Sequence, residues 1–225
     1  MGNGNDRKIK GFLSLCSDKF NNHPDFQNAD KAVRKVFQTF PQNTDLSDIL
    51  VKVAVLNTFY KTRIFDVVKI SQHILSLNID GRLRQEDLSL VDNIKSGHRI
   101  QSKNGNEIEF LSFATKYCHW HRPKIYPIYD QFAEKALYEL QKKFKFFNGR
   151  ITQKDLKDYS KYKEVLDCCI NFFEFGDDWR YKKIDQALWI YGKFLEGKLP
   201  REFQNNLEKK YNKTFKQYFR KTNRR

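Results

Sequence analysis

Four absences narrow the possibilities before any motif is read. The chain of 225 residues holds only four cysteines, Cys16, Cys118, Cys168 and Cys169, with no Cys-x-x-Cys pair. Adjacent Cys168 and Cys169 do not suit a disulfide with each other, so a reduced, intracellular protein is expected. No uninterrupted apolar run approaches membrane-spanning length. The amino-terminal MGNGNDRKIK lacks the apolar core of a signal peptide, and Asp6 stands where a lipidation signal needs a small hydroxyl residue. Strand signals are nearly missing, and there is neither an internal repeat nor a low-complexity linker. A soluble, cytoplasmic, all-α protein is the expectation.

Acidic residues are the remaining shortage. There are 27 acids against 42 lysines and arginines, a formal net charge of +15. Such a charge opposes self-association, so a monomer is expected, and it attracts polyanions. Double-stranded DNA leads the candidate partners, ahead of an anionic membrane or an acidic protein. Aromatics make up 15% of the chain, enough to furnish both a core and surfaces on which bases stack.

What is present is helical periodicity. Ala32, Val33, Val36, Phe37 and Phe40 form one apolar stripe, stopped by Pro41. Leu46, Ile49, Leu50, Val53, Ala54 and Asn57 form a second, behind the capping candidates Thr44 and Asp45. A third runs from Ile64 through Val67, Val68, Ser71, Ile74 and Leu75 to a stop around residues 78–81. Leu88, Val91 and Ile94 make a short fourth. Residues 96–109 are polar, and Asn104-Gly105 predicts a hairpin or irregular loop. Beyond Asp130 a helix is expected to run toward Phe147, closed by Asn148-Gly149. Another spans 162–175, with Val165, Leu166, Cys169, Phe172 and Phe173 inward. A last apolar face follows at Ile184, Ala187, Leu188, Tyr191, Phe194 and Leu195, bounded by Pro200. From Lys209 to Arg225 the tail has eight basic residues and no acid, either a basic helix or an arm. The expected organisation is one domain over 1–225 in two helical lobes with a central DNA-binding cleft. Its core lies at about 40–130, and 131–225 form a lobe with a basic arm.

Residues 110–132, FLSFATKYCHWHRPKIYPIYDQF, carry the chemistry. Phe110, Phe113, Ala114, Tyr117 and Cys118 share one helical face, leaving Ser112, Lys116, His119 and Trp120 opposite. Asp130 stands at a helix start, where a carboxylate meets free backbone N–H groups. One lysine and one carboxylate joined by a tight Pro-containing turn form a plausible catalytic pair; the plain alternatives are a solvated lysine and a capping aspartate. Cys118-His119-Trp120-His121 suggests metal ligands, yet a single helix does not aim enough of them inward, so neither metal nor cofactor is expected.

This arrangement resembles the helix-hairpin-helix DNA glycosylase superfamily, nearest in pattern to its 8-oxoguanine glycosylase branch, over roughly residues 45–135. VKVAVLNTFYKTRIFDVVKISQHIL is similar to the helix–loop–helix at the family's DNA-facing mouth, where a loop residue replaces the extruded base. SFATKYCHWH resembles the second helix of the family's hairpin, which places Lys116 at the lysine nucleophile. YPIYDQF resembles the Pro-Val-Asp element, which places Asp130 at the essential aspartate. The family's Leu-Pro-Gly-Val-Gly turn is replaced here by Glu109-Phe110-Leu111-Ser112-Phe113, so the close backbone approach to phosphate that glycine permits is made differently. No cysteine cluster for an iron–sulfur centre follows Asp130.

The resemblance implies excision of a modified or damaged base, in repair or in defence against modified phage DNA. Breaking an N-glycosidic bond builds positive charge on the sugar, which a fixed carboxylate opposes while orienting water. Lysine attack gives a Schiff base instead, if its amine is kept unprotonated. Base extrusion needs a filler and a receiving pocket, for which Asn57, Thr58, Phe59, Tyr60, His119 and Trp120 are candidates. Lys61, Arg63, His98, Arg99, Lys103 and Arg122 are candidate phosphate contacts. Two other readings stay open: a non-catalytic nucleic-acid-binding protein, and a metal-dependent nuclease drawing on Glu107, Glu109 and Asp130.

Overall fold

Aspartates begin four of the helices, and left-handed residues end two of them. The computed structural model describes the backbone of residues 4–97, 108–176 and 181–219, with side chains from residue 8 to residue 213 within those limits. Among the described residues there are eleven α-helices and no strand. The first four are α1 (Gly4–Asn21), α2 (Pro24–Thr39), α3 (Leu46–Tyr60) and α4 (Val67–Ser76). Next come α5 (Ile79–Arg84), α6 (Ser89–Lys95), α7 (Leu111–His121) and α8 (Gln131–Phe144). After a 3-10 turn at Asp155–Lys157, α9 (Tyr159–Phe172), α10 (Tyr181–Leu195) and α11 (Arg201–Phe219) complete the chain. Asp45, Asp66, Asp130 and Asp158 each accept a backbone N–H in the first turn of α3, α4, α8 and α9, each such cap stabilising by about 1 kcal/mol. Lys61 and Lys145 turn left-handed, with φ of 50° and 54°, to close α3 and α8.

The helices fall into two compact units. A continuous unit, residues 24–129, holds α2–α7. Its core joins Val33 and Phe37 of α2, Ile49, Val53 and Leu56 of α3, Ile70 and Ile74 of α4, and Leu90, Val91 and Ile94 of α6 around α7. Every residue of α7 from Phe113 to His119 is buried, so this helix is enclosed and does not present one solvated side. Lys116 and His119, expected opposite the core, lie inside it.

A composite unit joins residues 4–23 to residues 130–219. Here α10 packs on both α1 and α8, burying Ile184, Ala187, Leu188 and Tyr191 against Ile9, Phe12, Leu13 and Cys16, and against Ala133, Ala136, Leu137 and Leu140. Tyr211 of α11 meets the rings of Phe12 and Phe194 at centroid distances of 5.9 and 5.1 Å.

Several expectations are corrected. The chain before Ala32 contains α1, whose stripe of Ile9, Phe12, Leu13 and Cys16 is interrupted by exposed Lys8 and Gly11. α4 stops close to the expected residues, at Ser76, but the chain then opens a further helix, α5, with Asn78 left-handed at φ 46°. α8 ends at Phe144, before Asn148-Gly149, and α9 begins at Tyr159 because Asp158 caps it. Phe172, assigned inward, is 42% exposed. The basic tail is helical as far as Phe219. The expected hairpin lies mostly at 98–107, outside the described residues.

Gly192 marks the tightest helix crossing, since a Cβ there would run into the carbonyl of Phe132. Gly192→Ala is expected to destabilise the protein by about 2–4 kcal/mol, because backbone must give way. Gly11 of α1 has nothing within 4 Å of its missing Cβ, so Gly11→Ala is expected to stabilise by about 0.5–1 kcal/mol. Chemical denaturation of the two variants should move the midpoint in opposite directions.

Candidate functional site

The Thr-Lys step in α7 and the segment that follows it are laced together by side chains. The Thr115 hydroxyl, buried, accepts the backbone N–H of Tyr129 at 3.1 Å. His119 Nδ1 lies 2.8 Å from the carbonyl oxygen of Tyr126; a carbonyl only accepts, so this nitrogen carries the proton. The Tyr126 hydroxyl donates to the carbonyl of Asp87 at 3.0 Å, and the Arg122 carbonyl accepts from the N–H groups of Ile125 and Tyr126. Residues 122–129 are thus tied to the helix they leave. The next residue, Asp130, begins the composite unit as the N-cap of α8, accepting the Phe132 N–H at 2.9 Å.

Lys116 is 4% exposed. Its ammonium donates to the Ser112 hydroxyl one turn earlier and lies 5.7 Å from the centre of the Tyr60 ring. The Tyr60 hydroxyl donates in turn to Asp30 at 2.6 Å. One of the residues expected to serve the base, Tyr60, is therefore brought to the lysine. Others are not. His119 is 1% exposed and holds the Tyr126 carbonyl, so it is a staple of the segment and not a pocket wall. Asn57 is no filler either: its amide donates to the Ile64 carbonyl and its oxygen accepts from Thr62 and Ile64, clasping the α3–α4 loop from within. Thr58 donates back to the Ala54 carbonyl, and Phe59 is 45% exposed. Trp120, half-buried, has the Arg34 guanidinium 5.6 Å from its ring.

Among the expected phosphate contacts, Lys61 and Arg63 are exposed and left-handed, at φ 50° and 61°, on the loop that Asn57 clasps. Between Arg63 and the α4 cap Asp66 stands Phe65, 83% exposed, a residue that sequence periodicity leaves out of both flanking stripes. Arg122 is ion-paired with Glu86 at 3.0 Å. His98, Arg99, Lys103 and Glu107 lie outside the described residues. Glu109 is exposed, 3.8 Å from Lys95. Among the described residues no group of three or more His, Cys, Asp or Glu side chains is arranged to hold a metal ion.

A second cluster in the continuous unit escaped the sequence reading. Lys52 is fully buried. Its ammonium donates to the carbonyls of Phe40 and Gln42, at 3.0 and 2.6 Å, and to Asn43 Oδ1 at 2.7 Å. The same Oδ1 accepts the Tyr117 hydroxyl at 2.6 Å. Asn43 donates its backbone N–H and its amide to the two oxygens of Asp80, at 2.9 and 2.6 Å. Burial pushes Lys52 down to about 8, with Asp80 and Asp48 opposing the shift, so it is charged at neutral pH. The signal was present: Lys52 shares the face of Ile49, Val53 and Leu56, a lysine inside an apolar stripe. Beside it, His121 stacks edge-on to Phe37 at 4.8 Å, and its Nε2 is sealed from solvent with no hydrogen-bond partner.

Comparison with known proteins gives this chain its family. The family model described as the HI_0787_N N-terminal domain matches residues 8–125, more than half of the chain, and the chain belongs to that family. An uncharacterized protein of Haemophilus influenzae is 37% identical over 152 residues, covering 67% of this chain and 69% of that protein. No solved structure matches. Among the described residues, no helix is long and apolar enough to cross a membrane.

Burial holds His121 well down, to about 3, with the Lys52 charge adding to the effect. A folded-state value below the ordinary 6.5 means that the unfolded chain takes up the proton first as pH falls. Stability from this residue is therefore complete above about pH 6.5 and declines toward pH 3. His121→Phe keeps a ring against Phe37 and Tyr117 but does not titrate. Denaturation midpoints measured from pH 7 to pH 4 are expected to fall less steeply in this variant than in the wild type.

Proposed function

We propose that the protein is a DNA glycosylase that releases a modified or damaged base and leaves an abasic site. The observation that carries this reading is the order of parts along the chain from α7 to the start of α8. A buried lysine on a helix is followed by a Pro-Ile-Tyr segment bonded back to that helix through Thr115, and then by an aspartate opening the next helix. The helix-hairpin-helix glycosylases have this order of parts. A carboxylate at Asp130 is suited to oppose the cation that grows on the sugar and to orient the attacking water. Lys116, held by Ser112 and faced by Tyr60, is suited to position the substrate or to attack the sugar carbon.

The filler in this reading is Phe65, in place of the residues 57–60 expected earlier. An aromatic 83% exposed on a loop clasped by Asn57, with Lys61 and Arg63 nearby in sequence to meet phosphates, is a surface for stacking into a gap left by an extruded base. The second reading, a non-catalytic nucleic-acid-binding protein, is favoured by one observation: the capping bond from Phe132 gives Asp130 a structural role on its own. The +15 charge supports both.

Incubating the protein with DNAs that carry different base modifications, and identifying released bases by mass spectrometry, tests the choice. Asp130→Asn keeps the cap and removes the charge, so base release is expected to fall by about 100-fold or more with DNA binding retained. Normal turnover by this variant would reduce Asp130 to the cap of α8, whereas no release from any substrate leaves the binding protein as the better account. The expected product is an unbroken abasic strand; a borohydride-trapped adduct lost in Lys116→Gln would assign covalent chemistry instead.

Phe65→Ala is expected to lower base release on duplex DNA while sparing an already unpaired target. Its own cost to stability is expected to be within about 0.5 kcal/mol, because the ring is exposed. Equal losses on paired and unpaired targets would remove Phe65 from the extrusion step.

A further inference from the structure

Away from Lys116 and Phe65, a pocket of about 350 Å³ opens on the continuous unit between the 41–44 loop, α5 and the last turn of α7. We infer that this pocket binds the phosphate of a phosphomonoester, gripped by Arg84 and Arg122 beside His121. The inference does not rest on the glycosylase reading, and neither falls with the other.

Charge is the first argument. Arg84 is exposed and forms no ion pair among the described residues. Arg122 gives one terminal nitrogen to Glu86, which leaves further N–H groups of its fork to donate. Behind the wall lies the Lys52 ammonium, bonded to the Gln42 carbonyl of the lining loop. The acid of the lining, Asp80, has each oxygen engaged by an Asn43 donor. The two guanidinium groups therefore face Asp80, whose oxygens are committed, and Glu86, which is shared with Arg122, while Lys52 behind the wall is opposed by Asp48. Two guanidinium groups suit the dianion of a phosphomonoester, because their planar forks match phosphate oxygens.

Shape and the imidazole supply the second. The volume lies at the low end of small-ligand sites, which run from about 300 to 1,000 Å³, and exceeds what a bare phosphate fills. Pro41 and Leu83 give apolar wall to the organic part, and Thr44 adds a hydroxyl. His121 lines the pocket while its Nε2 lacks a partner. A buried polar atom without one is destabilising, and a ring turn toward a seated phosphate relieves it. Because burial keeps this imidazole neutral at physiological pH, it enters as an N–H donor and not as a third cation.

A phosphomonoester has two available sources, a free nucleotide or the phosphorylated end of a DNA strand. The test uses the full chain at fixed ionic strength. Calorimetry would follow a nucleoside 5′-monophosphate, its parent nucleoside, inorganic phosphate, and one oligonucleotide with and without a 5′-phosphate. Saturable binding of the monophosphate but not of the nucleoside is expected. Arg84→Ala should weaken it by about tenfold or more, and Arg84→Lys should recover part of the loss. Arg84 is exposed, so unfolding midpoints should not change. A preference for the 5′-phosphorylated oligonucleotide over its 5′-hydroxyl form, erased by Arg84→Ala, points to strand ends; equal binding of the two points to free nucleotide. No discrimination between monophosphate and nucleoside, or unchanged affinity in Arg84→Ala, overturns the site and ascribes phosphate binding to general surface charge.

Discussion

The Lys52 ammonium is the tie on which the continuous unit depends. One charge, fully buried, gathers the carbonyls that end the α2 segment, the Asn43 side chain and, through Asn43, both Tyr117 of α7 and Asp80 of α5. Desolvating an ammonium is costly, and the three oxygens at hydrogen-bond distance are what offset it. Apolar packing alone would hold these segments near one another without setting their register. The polar network does set it, because every member needs the others in place to satisfy its own donors and acceptors.

A second, smaller lacing does for the motif what Lys52 does for the core. Thr115, His119 and Tyr126 bind the chain as it leaves α7, so the residue before Asp130 is held by a buried hydroxyl. Side chains read from the sequence as reactive or base-contacting divide here into two kinds. His119 and Asn57 stabilise backbone turns, while Lys116 lies enclosed in α7; Phe65, which the sequence did not mark, is what the loop clasped by Asn57 exposes. If base excision is the activity, the division has a physical reason: groups that meet a strained substrate work only when held to within fractions of an ångström, and the holding needs polar side chains of its own.

How much of this was legible depended on the range of the interaction. The helices α2, α3, α6 and α10 announce themselves by stripes of Val, Ile, Leu and Phe, and Asp45 announces the start of α3, because periodicity and capping act within a few residues. The Lys116 and Asp130 pattern was legible for the same reason. Burial of Lys116 was not, since α7 is enclosed by helices remote in sequence. Phe172 shows the converse error: its spacing fits the apolar face of α9, yet α9 ends there and the ring turns outward. Phe65 and the partners of Lys52 were missed because they are set by loops. What an asparagine clasps, or a lysine reaches, depends on a backbone path that no period describes. α1 was missed because charged and glycine residues interrupt its stripe, which tertiary burial then completes.

The order of the chain also constrains how the molecule is made. Residues 24–129 are contiguous, so the continuous unit has all of its core as soon as α7 has emerged from the ribosome. α1 has no such option. Its face of Ile9, Phe12, Leu13 and Cys16 is completed by α10, roughly 170 residues later, a delay on the order of ten seconds at ordinary rates of translation. Throughout that interval the apolar face of α1 waits uncovered while residues 24–129 fold. The composite unit therefore closes last, and α1 is the segment of this protein that a chaperone has most reason to hold.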